Sequence, residues 1–216
     1  MYLTIGNIPK DICQKPMHHS QMLIAYIPTS RLKCMSNKSA HWCALGNIFH
    51  FCMKSLLDPI KVYGETGSAM LGGDGIWHHC HPIFAVFIGD YPKQALVMCT
   101  FNGQCPKCLV HHKELSDYSR SPPCNYGAAL ETFHLANHDI HLFNSACREA
   151  NLKPVFHPFW ESLPLLDIFL SITPDILHQM LQGVMKHLIT WLTSPGAFRT
   201  AKIDACCRSL LPITIS

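Results

Sequence analysis

The sequence predicts a mixed α/β chain with a cysteine-containing, largely helical stretch in its second half. Three observations carry that prediction. Residues 82–90 form an apolar run closed by a carboxylate, the pattern of a strand covered on both faces. Residues 37–57 and residues 174–193 each repeat apolar side chains at intervals of three and four, as one face of a helix does.

In chain order, residues 2–8 alternate weakly and predict a strand, and the apolar run 21–27, ended by Pro28, predicts a second. In the helix at 37–57, Trp42, Leu45, Phe49, Met53 and Leu56 share a face. Ser36 or Asn37 can cap its start, and Asp58-Pro59 should close it. Residues 64–75 are glycine-rich and predict a loop, with Gly72-Gly73-Asp74-Gly75 a turn by composition. The strand at 82–90 ends in Gly89-Asp90-Tyr91-Pro92. Residues 105–123 predict an irregular knuckle, 128–136 and 140–150 two short helices, and 154–164 a proline-broken segment. In the last helix Thr173 is the expected N-cap and Pro174 suits the first helical position.

Composition narrows the class. The chain has 216 residues, enough for one domain with a real core. It is 48% hydrophobic and only 14% charged, against about 25% in ordinary globular chains. It carries 15 His and 12 Cys beside 17 Lys and Arg. Twelve cysteines would suit a secreted disulfide scaffold. The opening residues, however, show neither the basic region nor the apolar run of a secretory signal. The expected location is therefore the nucleus or cytoplasm, with reduced thiols. No apolar run long enough to span a bilayer is present, so no membrane association is expected. The net charge of +3 does not by itself point to nucleic acid.

Three constellations can carry chemistry. A carboxylate such as Asp90, at the end of a buried strand, lies at a sheet rim, where it can ligate a hard divalent cation. It can equally be a strand terminator or a helix cap. Cys105-Pro106-Lys107-Cys108 can clamp Zn²⁺, with His111, His112 or His178 completing the set, or can be two unligated thiols in a turn. A redox role lacks a thioredoxin-like context. Asp175 and His178, three apart on a helix, share a face. They form either a polar ligand pair or a hydrogen-bonded cap. The basic residues Lys107, Lys113, Arg120, Arg148 and Lys153 are scattered, as on an ordinary solvated surface.

In order along the chain, these pieces resemble one family. Tyr2-Leu3-Thr4-Ile5-Gly6-Asn7-Ile8-Pro9-Lys10-Asp11-Ile12 looks like its "YLTIGNIPKDIR" stretch. Gly73-Asp74-Gly75, His81-Pro82-Ile83, Gly89-Asp90-Tyr91-Pro92 and Cys105-Pro106-Lys107-Cys108 follow in the same order. So do Pro154-Val155-Phe156-His157-Pro158-Phe159-Trp160 and Thr173-Pro174-Asp175-Ile176-Leu177-His178-Gln179. The chain is similar, over residues 2–195, to the Plavaka type of fungal transposase, itself similar to the CACTA-type cut-and-paste superfamily. The resemblance implies a partial RNase H-like catalytic domain with a DDE triad. Such enzymes use two Mg²⁺ or Mn²⁺ ions to hydrolyse DNA at transposon ends and to join the freed 3′-hydroxyl to target DNA. Asp90 then looks like the second triad carboxylate. The CxxC and Asp-x-x-His look like accessory signatures, a metal or polar cluster of Cys105, Cys108, His178 and Asp175. The implied organisation is a partial core over 1–104, a CxxC knuckle and helical insertion over 105–170, the Asp-x-x-His helix over 171–195 and a tail over 196–216.

Two departures shape the expected function. The family's first catalytic Asp lies upstream of the "YLTIGN" strand, and Asp204 is a poor match for the third carboxylate. One carboxylate cannot hold two ions in line, so the expectation is a decayed transposase fragment that does not cleave DNA. Arginines of the family are also replaced. "KDIRRKPSRRAQ" becomes Lys10-Asp11-Ile12-Cys13-Gln14-Lys15-Pro16-Met17-His18-His19-Ser20-Gln21. "ARRRAL" becomes Ala40-His41-Trp42-Cys43-Ala44-Leu45, and "WRRCHP" becomes Trp77-His78-His79-Cys80-His81-Pro82. Cys, His, Gln and Trp are what CGN codons become after C-to-T change on either strand. That one cause accounts for the excess of His and Cys and for the low charge. It would also strip guanidinium groups that grip phosphate. The alternative from another class is a non-catalytic, zinc-containing module that binds nucleic acid or protein. A third is a divergent nuclease that borrows carboxylates from a partner chain.

Overall fold

The computed structural model describes residues 1–28, 32–110, 112–114, 121–173 and 175–194. The chain divides into two compact units, one of Met1–Phe87 and Pro92–Ile172, the other of Ile88–Tyr91 and Thr173–Ser216. Helices dominate the first unit, beside two short antiparallel ladders. None of the described helices is long and apolar enough to cross a membrane.

At the start of the chain, β1 (Tyr2–Thr4) pairs with β2 (Gln21–Leu23), Leu3 standing opposite Met22. Both expected strands form, each shorter than its apolar run. The short helix α1 (Lys10–Cys13) lies between them.

The long helix α2 (Lys38–Thr66) starts where its cap predicts. Asn37 Oδ1 accepts from Ser39 N at 2.9 Å and from Ala40 N at 3.2 Å, pairing two donors that the first helical turn leaves orphaned. The expected stop at Asp58-Pro59 is wrong, because Pro59 lies inside the helix. An interior proline removes one backbone bond and costs about 3 kcal/mol. Packing on either side outweighs that cost. Leu57 is buried, and Gly64 lies so close to Pro82 and Pro164 that a Cβ would meet Pro164 Cγ at 2.6 Å and Pro82 O at 2.9 Å.

The predicted loop at 64–75 is mostly structured. It holds the end of α2 and then β3 (Ser68–Leu71), which forms a hairpin with β4 (Trp77–Cys80). The turn assigned to Gly72-Gly73-Asp74-Gly75 is present. Asp74 Oδ1 accepts from Ile76 N at 3.0 Å, Gly72 N donates to Ile76 O at 2.8 Å, and Gly75 has φ 78°, a conformation glycine adopts without steric cost.

Residues 82–90 need the largest correction. They do not form a covered central strand. Only β5 (Phe87–Ile88) is extended in a ladder, its partner being the two-residue β6 (Ile172–Thr173). Ile83 and Val86 are 50% and 51% exposed, and Ile88 is 73% exposed. An apolar run gives propensity and length but not its neighbours. Among the described residues no longer strand covers this one.

After β5, α3 (Tyr91–Val97) carries Pro92 in its first turn, where no intrahelical donor is lost. It ends with Cys99 at φ 56° and Thr100 N donating to Ala95 O at 2.9 Å, the bond pattern of a Schellman cap. The two predicted short helices are α4 (Tyr126–His134), extended by a 3-10 turn over Leu135–Asn137, and α5 (Ile140–Glu149). Asn125 caps the first and Asp139 the second. Residues 154–164 are irregular, as their prolines predict, and lead to α6 (Ile168–Ser171).

The core of this unit gathers Phe49, Met53 and Leu57 from α2, Phe133 from α4, Phe143 from α5, and Phe159, Trp160 and Ile168. Fully buried Trp160 packs against Tyr126 and Phe133, each with ring centroids 5.7 Å away. Its Nε1–H donates to Val97 O at 2.7 Å. Burying that indole therefore leaves no orphaned donor.

In the second unit the predicted α-helix over 174–193 is a π-helix over Ile176–Met185 followed by α7 (Lys186–Leu192). The expected cap moves as well. Thr173 belongs to β6, and Asp175 caps instead, accepting from Leu177 N at 2.9 Å and His178 N at 3.4 Å. Pro174 lies outside the described residues, as does the tail beyond 194. A π turn holds more residues than an α turn, so side chains three and four apart no longer stack into one stripe. Neither helical segment has a buried residue.

Candidate functional site

Asp90 stands half-buried between β5 and α3. The ladder ends two residues before it and the helix begins directly after it, so its carboxylate sits at a strand-to-helix junction. It belongs to the second unit, as do Asp175 and His178. Among the described residues no three His, Cys, Asp or Glu side chains are gathered to hold a metal ion.

Asp175 does two jobs at the start of the π-helix. Its Oδ1 accepts from the backbone as the N-cap, and its Oδ2 accepts from His178 Nδ1. The imidazole, followed by the two backbone N–H groups, holds the Asp175 carboxyl below the usual carboxylate range. The shared face expected of Asp175 and His178 is thus realised as a hydrogen-bonded pair. A carboxylate on one ring nitrogen is also how a ligating histidine is oriented. The pair alone serves capping without any ion.

Cys105 and Cys108 lie in the first unit, at the rim of its core. Pro106 between them is buried, which pins the turn. Lys107 N donates to Cys105 Sγ at 3.4 Å, and Val110 N–H donates to Cys108. The two sulfurs are 3.3 Å apart. Lys107 Nζ is drawn away to Phe169 O at 2.8 Å. The segment then pairs with residues 122–124. Leu109 N donates to Pro122 O and Cys124 N to Lys107 O, both at 3.0 Å, flanking an antiparallel bridge of Cys108 with Pro123.

That pairing brings in a residue the sequence reading missed. Cys124 lies near enough to the CxxC that both its thiols act on it. Burial, then Cys105 and Cys108, push the Cys124 thiol up to about 11. Burial also raises Cys108, with Cys105 adding to it. A signal was present in the spacing C-x₂-C-x₁₅-C, which begins like a four-cysteine zinc pattern. Of the histidines weighed as further ligands, His111 lies outside the described residues, and His112 begins a 3-10 turn over His112–Glu114.

The first unit also buries a histidine that the sequence did not single out. His50, on α2, is fully buried. Phe159 N donates to its Nδ1 at 3.4 Å, and its Nε2 faces Leu96 O at 3.0 Å and Cys99 Sγ at 3.3 Å. Burial drives its pKa down to about 4. The neutral ring cross-links α2, the end of α3 and the 156–160 segment, a structural duty. Lys107 is spent on Phe169, and Lys153 is half-buried with its ammonium disfavoured by desolvation. Arg120 lies outside the described residues.

A family model described as Plavaka transposase matches residues 1–192. No curated protein matches the chain, and no solved structure does.

Proposed function

The chain belongs to the Plavaka transposase family, and from that premise we propose that it is a remnant of a CACTA-like, cut-and-paste DNA transposase that does not cleave DNA by itself. The family match across residues 1–192 carries the reading. A transposase lineage means DNA as the ancestral partner and the nucleus as the place of action. In the parent chemistry an RNase H-like DDE site uses Mg²⁺ or Mn²⁺ to supply nucleophile and leaving-group stabilisation. Asp90, at its strand-to-helix junction, is our candidate for the second carboxylate. The described residues do not fit a two-ion site, since no three potential ligands converge. No strand-transfer step is therefore assigned to them.

Loss of arginine supports the decayed state. Gln14, His18, His19, Trp42, His78 and His79 are all exposed, where guanidinium groups would have met phosphate. An indole 61% exposed at Trp42 gains little from its position. Restoring arginine at these six positions tests the reading. The parent chain should bind a DNA duplex weakly. The restored chain should bind more tightly, with log K falling more steeply against log salt by about 0.9 for each phosphate regained. Unchanged affinity in a folded restored chain would count against it. Codons at these positions should each be one transition from CGN.

A second reading keeps the fragment as a zinc-containing, non-catalytic binding module. The knuckle at Cys105 and Cys108, with sulfurs 3.3 Å apart, favours it.

A further inference from the structure

We infer that Cys105, Cys108 and Cys124 form a three-thiolate site for a zinc-like divalent cation. Four observations converge on this. The two knuckle sulfurs are 3.3 Å apart, close enough to ligate one tetrahedral ion. Each accepts a backbone N–H from two residues on, Lys107 for Cys105 and Val110 for Cys108. Such N–H donors hold the direction in which each sulfur points, as groups behind a metal ligand do. The bridge of Cys108 with Pro123 holds Cys124 beside the turn through its own N–H, at 3.0 Å from Lys107 O. The side-chain cation nearest in sequence, Lys107, is tied to Phe169 O at 2.8 Å, so it is not the group that compensates the sulfurs.

All three cysteines are free thiols and half-buried, which leaves an entry path. Since no three ligands converge among the described residues, Cys124 has to change rotamer to join the pair. The energy for that rotation comes from the bonds formed. One Zn²⁺ displaces three thiol protons to solvent and gains three Zn–S bonds, with no oxidant or reductant involved. A soft cation suits sulfur where Mg²⁺ would not. The site is separate from strand cleavage, so its failure would leave the transposase reading untouched.

Titrating the reduced full chain with Co²⁺ and then Zn²⁺ tests the assignment. One Co²⁺ per chain should bind with sulfur-to-cobalt charge-transfer bands, bleached by Zn²⁺, with about three protons released per ion. In Cys124→Ser the charge-transfer intensity should fall by about one third and Zn²⁺ affinity by about tenfold or more. Cys124→His, which keeps a ligand, should hold affinity with a shifted spectrum. His178→Ala and Cys80→Ser should match the parent. An unchanged spectrum in Cys124→Ser, a loss in His178→Ala, or freshly reduced protein that binds no Co²⁺ would each overturn it.

Discussion

The two units spend the same kind of residue in opposite ways. In the first, Phe49, Met53, Phe133, Phe143 and Trp160 close into one cluster. In the second, Leu177, Met180, Leu181 and Val184 occupy a helical run with no buried member. Burial is worth about 25 cal/mol per Å² of apolar surface, so an apolar residue stabilises only where something covers it. Periodicity in a sequence announces a helix, and the partner that makes the helix stable is decided elsewhere in the chain.

The largest expected effect tests the covered side. Trp160→Ala should cost about 3–5 kcal/mol and lower the urea midpoint of the first unit. The indole is fully buried and its N–H is paired with Val97 O. An unchanged midpoint would mean that this cluster is not what holds the unit together.

Next in size is a pH effect from His50. Its folded pKa, about 4, lies below its unfolded value near 6.5. The neutral ring is therefore favoured by the fold, and its contribution is complete above pH 6.5. As pH falls toward 4 the unfolded state takes up the proton first, and roughly 3 kcal/mol of stability should drain away. His50→Gln should flatten that slope in equilibrium unfolding between these pH values. A slope that survives the substitution would assign it to other groups.

Smaller again is Asn47, whose side chain ties α2 to the 154–156 segment. Nδ2 donates to Pro154 O at 3.3 Å and Oδ1 accepts from Phe156 N at 2.7 Å. Asn47→Ala should cost about 0.5–1.5 kcal/mol, the net worth of a hydrogen bond whose donor water can take over, and should speed amide exchange at Phe156. At the bottom of the scale, Leu181→Ser in the uncovered π-helix should shift stability by no more than about 0.5 kcal/mol. A loss of several kcal/mol there would show that a cover exists and would erase the contrast between the units.

Legibility follows the same division between local and distant causes. The start of α2 was readable because Asn37 caps with its own side chain. Its end was not, because Pro59 argues locally for a stop while Leu57 and Gly64 are held by residues far along the chain. The turn at Gly72-Gly73-Asp74-Gly75 was readable from composition, whereas the hairpin it closes was hidden because neither Ser68–Leu71 nor Trp77–Cys80 alternates apolar and polar side chains. Residues 82–90 misled because a run of Ile, Phe and Val has the same appearance whether or not strands flank it. The close of α3 was silent, since Cys99 occupies a left-handed position that glycine normally marks. In the site, the Asp175–His178 pair was visible as a three-residue spacing. Cys124 escaped because its proximity to the CxxC depends on the 107–124 pairing rather than on adjacency in sequence.

The central claim is a transposase-family chain that retains a folded unit without strand-cleaving chemistry. Incubating the purified protein with supercoiled plasmid and Mg²⁺ or Mn²⁺, beside Asp90→Asn, tests it most directly. The account predicts no metal-dependent nicking by either protein. Metal-dependent nicking that Asp90→Asn abolishes would contradict it and establish a working site around Asp90.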